Sequence, residues 1–536
     1  MNGETSGDAS TTAQSESSST AAECTIGSLG CPCTQGGACD PGLACSPEKV
    51  CVDDGGSGSG DDSSGTTAEP ASSSSGTTAE PTECDPVGGQ PSLDCSDPAK
   101  PFCAEAGVCG GCTVLPAEMG CAQLDAGKPF CNPEDGRCVE CTAEDDSLCV
   151  GNKPACDLDT NACVGCFEHS HCPQSACDLV KRECFPTDKI VHVRLGLPGE
   201  SQCTLNVGEG GTKENPYCFL QQAIDHAQLE GPTPGWVFKM MKTTWTKFHH
   251  PYAVFKGTQS PVSYALIHEP GDPEAGDRHT RFVDTVSVMT VGVNVTVFFD
   301  NFGIENVNGS EASNGLQCLE NARVFLDDSY IRGARGVNLL SIGCDLDLRR
   351  SSVTSGWTEG IQISDGKLHM RNSYVTNNKF FADLGGGGIV ATNTELDILY
   401  STIVGNNNEL MAGGDSIDCR DDNVTGTIRN SVIGRKSMGN NPSIQCNPLK
   451  LEVLNSVLDS DEFKTGNFKI DGETILSMFA VNLNSGAFKI IDDEAADQLK
   501  DKAVWQQGDP RRDYDGDPRN AIVGQVDYAG ADVWTP

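Results

Sequence analysis

The chain has 536 residues and a formal charge of -39, from 76 Asp+Glu against 37 Lys+Arg. No Lys/Arg cluster interrupts that acidity, so nucleic acids and anionic membranes are repelled, and a polyanion would need a bridging cation. Of 28 cysteines, 22 lie between Cys24 and Cys184, a density that outside the cytosol reads as disulfides and so points to an exported protein.

Residues 1–23 are a Ser/Thr/Ala/Glu tract with too little apolar surface to offset ordering entropy, and they are expected to be a disordered tether. Residues 24–51 carry six cysteines in a module too small for a core, so cross-links must hold it. Residues 52–83 form a Ser/Gly/Thr/Pro linker that repeats SSGTTAEP from Ser63 and Ser74 and should be an extended spacer. Residues 84–186 then hold four tandem sets of four cysteines: Cys84/95/103/109, Cys112/121/131/138, Cys141/149/156/163 and Cys166/172/177/184. C-x-x-C joins each set to the next, which is also a zinc spacing. The spacers vary and the array has only His169 and His171 as histidines, so disulfide repeats are preferred over zinc and no metal is assigned. The segment resembles the Cys-rich stalk repeats of secreted proteins from Gram-negative bacteria. That resemblance implies location rather than activity.

Residues 187–536 change character. A helix is expected over 216–230, with Asn215 as N-cap, Pro216 in the first turn and Gly231 as the stop, and with Leu220, Ala223, Ile224 and Ala227 as its apolar stripe. Such a helix caps a solenoid end. Cys203 and Cys218 would staple its approach. Regular rungs follow over about 295–460, in seven copies: VTVFFDNFGI, ARVFLDDSYI, DLDLRRSSV, KLHMRNSYV, ELDILYSTI, TGTIRNSVI and KLEVLNSVL. A slip of one residue would turn the whole apolar set of any copy outward, so the register is legible.

Aligned on Phe302 and on Ser329, Ser351, Ser373, Ser401, Ser431 and Ser456, the copies place Val297/Val324/Leu346/Leu368/Leu396/Gly426/Leu451 in one interior stack. Asn301, Asn372, Asn430 and Asn455 stand just before the reference position, at a bend that favours residues tolerant of left-handed backbone, and an asparagine ladder is expected there. A second strand per rung places Cys318, Leu339, Ile363, Ala391, Cys419 and Cys446 in one column. Cys419 and Cys446 then stand on adjacent strands about 4.8 Å apart, where they either pair or stack. Cys344 lies beyond Leu339, and a bridge from Cys318 to Cys344 is within reach. Residues 461–536 are expected to close the last rung.

The entry YCFLQQAIDHA, the rungs RNSYVTNN and IRNSVIG, and the exit DYDGDPRN…VDYAGAD resemble the pectin-lyase-like right-handed parallel β-helix superfamily in its bacterial surface and polymorphic outer-membrane form. The resemblance implies an all-β fold: a right-handed parallel β-helix with an N-terminal capping helix. It also implies that any reaction occurs on the outer face of one sheet, between long turns such as NNKFFADLGGGG and NNNELMAGGD. The chain carries neither the paired-Asp strand and Gly-His-Gly of polygalacturonases nor the W-x-D-H and R-x-P-x-x-R signatures of pectate lyases.

On the outward face, Asp347, His369 and Asp397 stack on successive rungs. The two carboxylates are expected roughly 9 to 10 Å apart, close to the separation of an inverting glycosidase. They are the candidate acid and base, with Arg349, Arg371 and Asp327 as candidate substrate-binding residues. The competing reading is a ladder of solvated ion pairs, which is the commoner origin of such columns. Asp513, Asp515 and Asp517 alternate like a calcium loop but lack its bidentate Glu, so turn chemistry is preferred and calcium is kept only as a candidate bridging ion.

No stretch of 18 or more apolar residues occurs, so no membrane-spanning helix is expected. The functional expectation is a secreted or cell-surface protein with a lipoprotein-type anchor, its secretion signal removed, tethered to the membrane without spanning it. Its β-helix face would present to a polysaccharide or another surface protein. The alternative is an extracellular polysaccharide hydrolase or lyase. No heptad pattern suggests a coiled-coil oligomer.

Overall fold

The computed structural model describes residues 125–195, 203–233, 235–241, 253–269, 280–283, 289–305, 313–378, 387–407, 414–436, 441–460, 462–463, 466–481 and 488–534, with short stretches at 43–45, 51–53, 95, 100, 102–103, 109–114 and 121–123. Contacts divide the chain into two units, Met1–Glu80 and Pro81–Pro536. In the first, Leu43–Cys45 pairs antiparallel with Cys51–Asp53. The tether, the linker after Asp53 and the rest of the six-Cys module lie outside the described residues, as does much of the two long turns expected to wall the outer face.

In the second unit the cysteine sets pair first to third and second to fourth: Cys112–Cys131 with Cys121–Cys138, Cys141–Cys156 with Cys149–Cys163, and Cys166–Cys177 with Cys172–Cys184. Each crossing holds a short hairpin such as Ala155–Asp157 with Ala162–Val164, turned by Asp157, whose carboxylate accepts the Asp159 N–H at 3.0 Å, and by Asn161 at φ 51°. From Cys95 onward every described cysteine is in a disulfide.

Beyond Ile190 the chain winds into three parallel sheets. Among the described residues sheet 1 has ten strands from Ile190–Val193 to Leu451–Leu454, sheet 2 nine from Thr280–Val283 to Phe468–Lys469, and sheet 3 eight from Ala253–Phe255 to Ile444–Gln445. Each strand pairs with its counterpart one rung later, in the register expected from the repeats: Val297, Val324, Leu346, Leu368, Leu396, Gly426 and Leu451 are successive partners. The fold is therefore a right-handed parallel β-helix. Its interior is one continuous apolar column, where a fully buried Leu such as Leu346 or Leu368 contributes about 2 kcal/mol.

The bend between sheets 1 and 2 is held differently from expectation. Asn301, Asn372, Asn430 and Asn455 do adopt positive φ, as do Asp328, Arg350 and Tyr400 in the same column. The ladder, however, is made by the serines. Each Ser Oγ accepts the backbone N–H of its counterpart on the preceding rung, Ser329 to Ser351 at 3.1 Å and Ser401 to Ser431 at 3.1 Å, and donates to the carbonyl two residues before itself. A hydroxyl can both donate and accept, so one short side chain satisfies two backbone groups that the bend removes from the sheets. An asparagine ladder exists at the other corner, between sheets 2 and 3, where buried Asn338, Asn378 and Asn406 bond amide to amide at 2.9 and 3.0 Å.

Two further expectations shift. The capping helix, α1, spans Leu220–Glu230 and not 216–230. Tyr217 is engaged in bridges to Val193 and Thr204, and the Asn215 amide donates to the Glu209 carbonyl, so neither Asn215 nor Pro216 starts the helix. Its stripe and its Gly231 stop are as expected, with Leu220, Ala223, Ile224 and Ala227 fully buried. In sheet 3, Ser341 and not Leu339 faces Cys318 and Ile363. Leu339 pairs with Leu316, two residues out of the expected column. The expected bridges Cys203–Cys218, Cys318–Cys344 and Cys419–Cys446 are all formed, with Cα separations of 5.0, 5.9 and 4.9 Å.

The C-terminal segment does more than close a rung. Helices α2 (Gly472–Ser477) and α3 (Asp493–Leu499) and two short hairpins fold back over the outer face of sheet 2, burying Ile475, Leu499, Trp505 and Ala531 against Tyr374, Tyr400, Val404 and Val432. The bend asparagines receive this segment: Asn430 exchanges hydrogen bonds with Val504 at 3.0 and 3.1 Å, and Asn372 donates to the Arg512 carbonyl at 2.6 Å. Buried Arg519 stacks on the Tyr400 ring and donates to Asn372 and to the Gly530 carbonyl.

Candidate functional site

The outer face of sheet 1 is a grid whose rows are strands and whose columns run along the solenoid axis, because alternate side chains of a strand share one face. One column holds Phe298, Phe325, Asp347, His369, Asp397 and Thr427, and the next holds Asp300, Asp327, Arg349, Arg371, Leu399 and Arg429. Asp347, His369 and Asp397 are thus direct cross-strand neighbours, as expected.

Segments remote in sequence flank this grid. At its apolar end sits the last disulfide module, with Ala176 and the following Phe185 packed on Val237, Ala265 and Phe298. His169 stands edge-on to Phe298, and Lys239 donates to the Gln174 carbonyl at 3.1 Å. The preceding module reaches the C-terminal segment through Asp159 and Arg511. At the other end Arg429 grips Asp509 with both terminal nitrogens. The cysteine array is therefore not a free stalk at its end: it lies along the β-helix.

Within the grid the candidate groups satisfy one another. Arg349 donates to both oxygens of Asp347, at 2.8 and 3.3 Å. His369 Nδ1 lies 3.2 Å from Asp397 Oδ2, with Arg371 3.9 Å from the same oxygen. The His369 hydrogen bond and the Arg371 charge hold the Asp397 carboxyl below the usual carboxylate range, and the same hydrogen bond raises His369. A glycosidase acid needs the opposite shift. One column further, Lys367–Glu395 at 2.6 Å and Arg323–Asp345 at 3.6 Å extend the alternation of charge. The arrangement is a ladder of mutual ion pairs, half open to solvent.

Asp327 is not on the open face. It is buried, and Arg350 Nη2 donates to it at 2.8 Å while also holding Asp328 at 3.0 Å. Arg350 escaped the sequence reading because it occupies the bend position where other rungs carry Asn, and its positive φ of 44° swings it outward. As for cation ligands, Asp513 already accepts the N–H groups of Asp515, Asp517 and Val533, which makes it the hub of a turn.

A β-helix with a self-paired charged face and a disulfide-pinned flank is the class of protein this geometry defines. Residues 74–190 match a family of unknown function (DUF8331), from the end of the linker through the disulfide modules to Ile190, the first residue of sheet 1. No curated protein matches the chain. Among solved structures, pectate lyase Pel9A is similar at 11% identity with a TM-score of 0.31, over 65% of this chain and 97% of that one. No described helix is long and apolar enough to cross a membrane.

Proposed function

We propose that this is an exported binding or structural protein of the cell surface, held by a lipoprotein-type anchor, whose β-helix presents its sheet 1 face to glycans or to another surface protein without cutting them. The observation that carries this reading is that the candidate groups are already paired with one another, Arg349 with Asp347 and both His369 and Arg371 with Asp397, as in a ladder of surface ion pairs. The described disulfides support an oxidising compartment, and the acidity of the chain favours neutral glycans, or anionic ones bridged by calcium.

The test is incubation of the full chain with a panel of neutral and uronic-acid polysaccharides, with and without Ca²⁺. Retention on immobilised glycan with no new reducing ends or unsaturated products is expected. The second reading, a hydrolase or lyase, is favoured by the placement of Asp347 and Asp397 two rungs apart around His369 on a half-open face. It would be established by products that vanish in both Asp347→Asn and Asp397→Asn.

A further inference from the structure

We propose that the corner between sheets 2 and 3 carries a separate binding site, built on Arg335 and Trp357, which takes the free C-terminal carboxylate of a partner polypeptide ending in an apolar residue. The two side chains stand on adjacent rungs. Arg335 lies between strands Tyr330–Arg332 and Leu339–Ile342, and Trp357 between Ser352–Thr354 and Ile361–Ser364. Neither belongs to the sheet 1 grid, so this site and the glycan reading of that face stand or fall separately.

The turns that carry the pair are fixed by the buried asparagine ladder. The Ala334 N–H donates to Asn338 Oδ1 at 3.0 Å and the Gly356 N–H to Asn378 Oδ1 at 3.0 Å. The Trp357 N–H donates to the Ala334 carbonyl at 2.8 Å, which ties one turn to the next. Both turns also need glycine for close approach: a Cβ on Gly336 would lie 2.6 Å from Asn314 Oδ1, and one on Gly356 2.7 Å from Asn338 Nδ2. A site on backbone held in this way needs little further ordering when a ligand arrives.

Arg335 stands out by what surrounds it. The chain has 76 acidic against 37 basic residues, and Arg332, three residues earlier, is paired with Glu305 at 2.6 Å. Among the described residues no carboxylate pairs with Arg335 and no hydrogen-bond acceptor takes its side-chain N–H groups. Its neighbour is the Trp357 ring, whose centre lies 4.5 Å from the guanidinium carbon. An aromatic ring occupies the face of a guanidinium and leaves the rim of N–H donors for a bidentate carboxylate. Trp357 is 38% exposed, and on the strand that follows Arg335 the outward Leu340 is half-buried and Ile342 exposed. A guanidinium without an acid, beside an accessible indole and aliphatic side chains, combines the residue types that concentrate binding energy at interfaces.

The chemistry of the ligand follows from charge and reach. A net charge of -39 repels a polyanion, whereas a chain terminus brings a single carboxylate. That carboxylate shares its α-carbon with the last side chain, so seating it on Arg335 brings that side chain to Trp357. An extended peptide then continues over Leu340 and Ile342, which are two residues apart and share one face of their strand.

The test is isothermal titration calorimetry of the full oxidised chain with three probes. These are acetyl-Gly-Ser-Val-Leu-Phe as the free acid, the same peptide as its C-terminal amide, and the amide with Glu in place of Ser. Saturable binding of the free acid is expected, weakened about tenfold or more by amidation and by Arg335→Gln, and weakened also in Trp357→Ala. Arg335→Lys should bind less tightly than the parent, because a point charge lacks the planar fork, and it serves if Arg335→Gln misfolds. An unchanged thermal midpoint in each variant assigns a loss of binding to the site itself. The proposal is overturned by an absence of saturable binding of the free acid at millimolar peptide, by equal affinity for acid and amide, or by full affinity in the Arg335 variants. Binding of the Glu-containing amide as tight as that of the free acid overturns it too, since an internal acidic segment would then be the ligand.

Discussion

Gly426 separates what a repeat pattern implies from what the folded chain permits. Its register position lies in the interior stack between Leu396 and Leu451, so alignment alone recommends filling it, with a gain of about 0.8 kcal/mol for each buried methyl. The structure points the other way. Gly426 has φ 130°, and a Cβ built there would lie 1.9 Å from the Leu396 carbonyl oxygen and 2.8 Å from the Leu396 nitrogen, both backbone atoms of a paired strand. Gly426→Ala must therefore abandon a conformation closed to L-residues, at about 1–3 kcal/mol, and push two rungs apart, at about 1–3 kcal/mol more. The expected loss is about 2–6 kcal/mol. Urea unfolding followed by circular dichroism, with the disulfides intact, would report it as a lower midpoint at unchanged slope. A midpoint equal to or above that of the parent would refute the argument, and would mean that the stack, not the backbone, governs this position.

Ser351→Ala should cost about 2–3 kcal/mol in the same assay, because the Ser329 N–H loses its acceptor in a fully buried bend. Arg519→Met should cost about 3–5 kcal/mol by leaving Asp527 and the Asn372 amide oxygen without their buried partner, and should be seen as hydrogen exchange confined to 503–531 at first. The His369–Asp397 pair gives a pH signature. A lowered Asp397 contributes stability above about pH 4 that is lost as pH falls through its folded value, and a raised His369 contributes below about 6.5 and loses it as pH rises. The pair is therefore worth most between about pH 4 and 6.5. Since both groups are more than a third exposed, less than about 1 kcal/mol is expected. Nuclear magnetic resonance titration of His369 in Asp397→Asn should show its midpoint fall, and an unmoved midpoint would remove the pair from the account.

Features governed by the period of a strand are legible in the sequence, although the sheet 3 column is displaced by two residues at Leu339. Apolar residues two apart, repeated down the chain, define the interior stack, and because a slip of one residue exposes it, the register from Val297 to Leu451 is legible in the sequence. The positive φ of the bend asparagines was legible for a similarly local reason, since Asn tolerates it. The outside of the solenoid is set instead by contacts between segments remote in sequence. Asn372 bonds Arg512 and Arg519, Arg429 bonds Asp509, and Phe298 lies under Phe185. None of these partners is within a rung in sequence, so no local pattern announces them. An outward Asp looks the same in a string of letters whether it faces water, as Asp397 half does, or is buried against a guanidinium, as Asp327 is against Arg350. The groups that stand against each carboxyl in the folded chain decide what it can do.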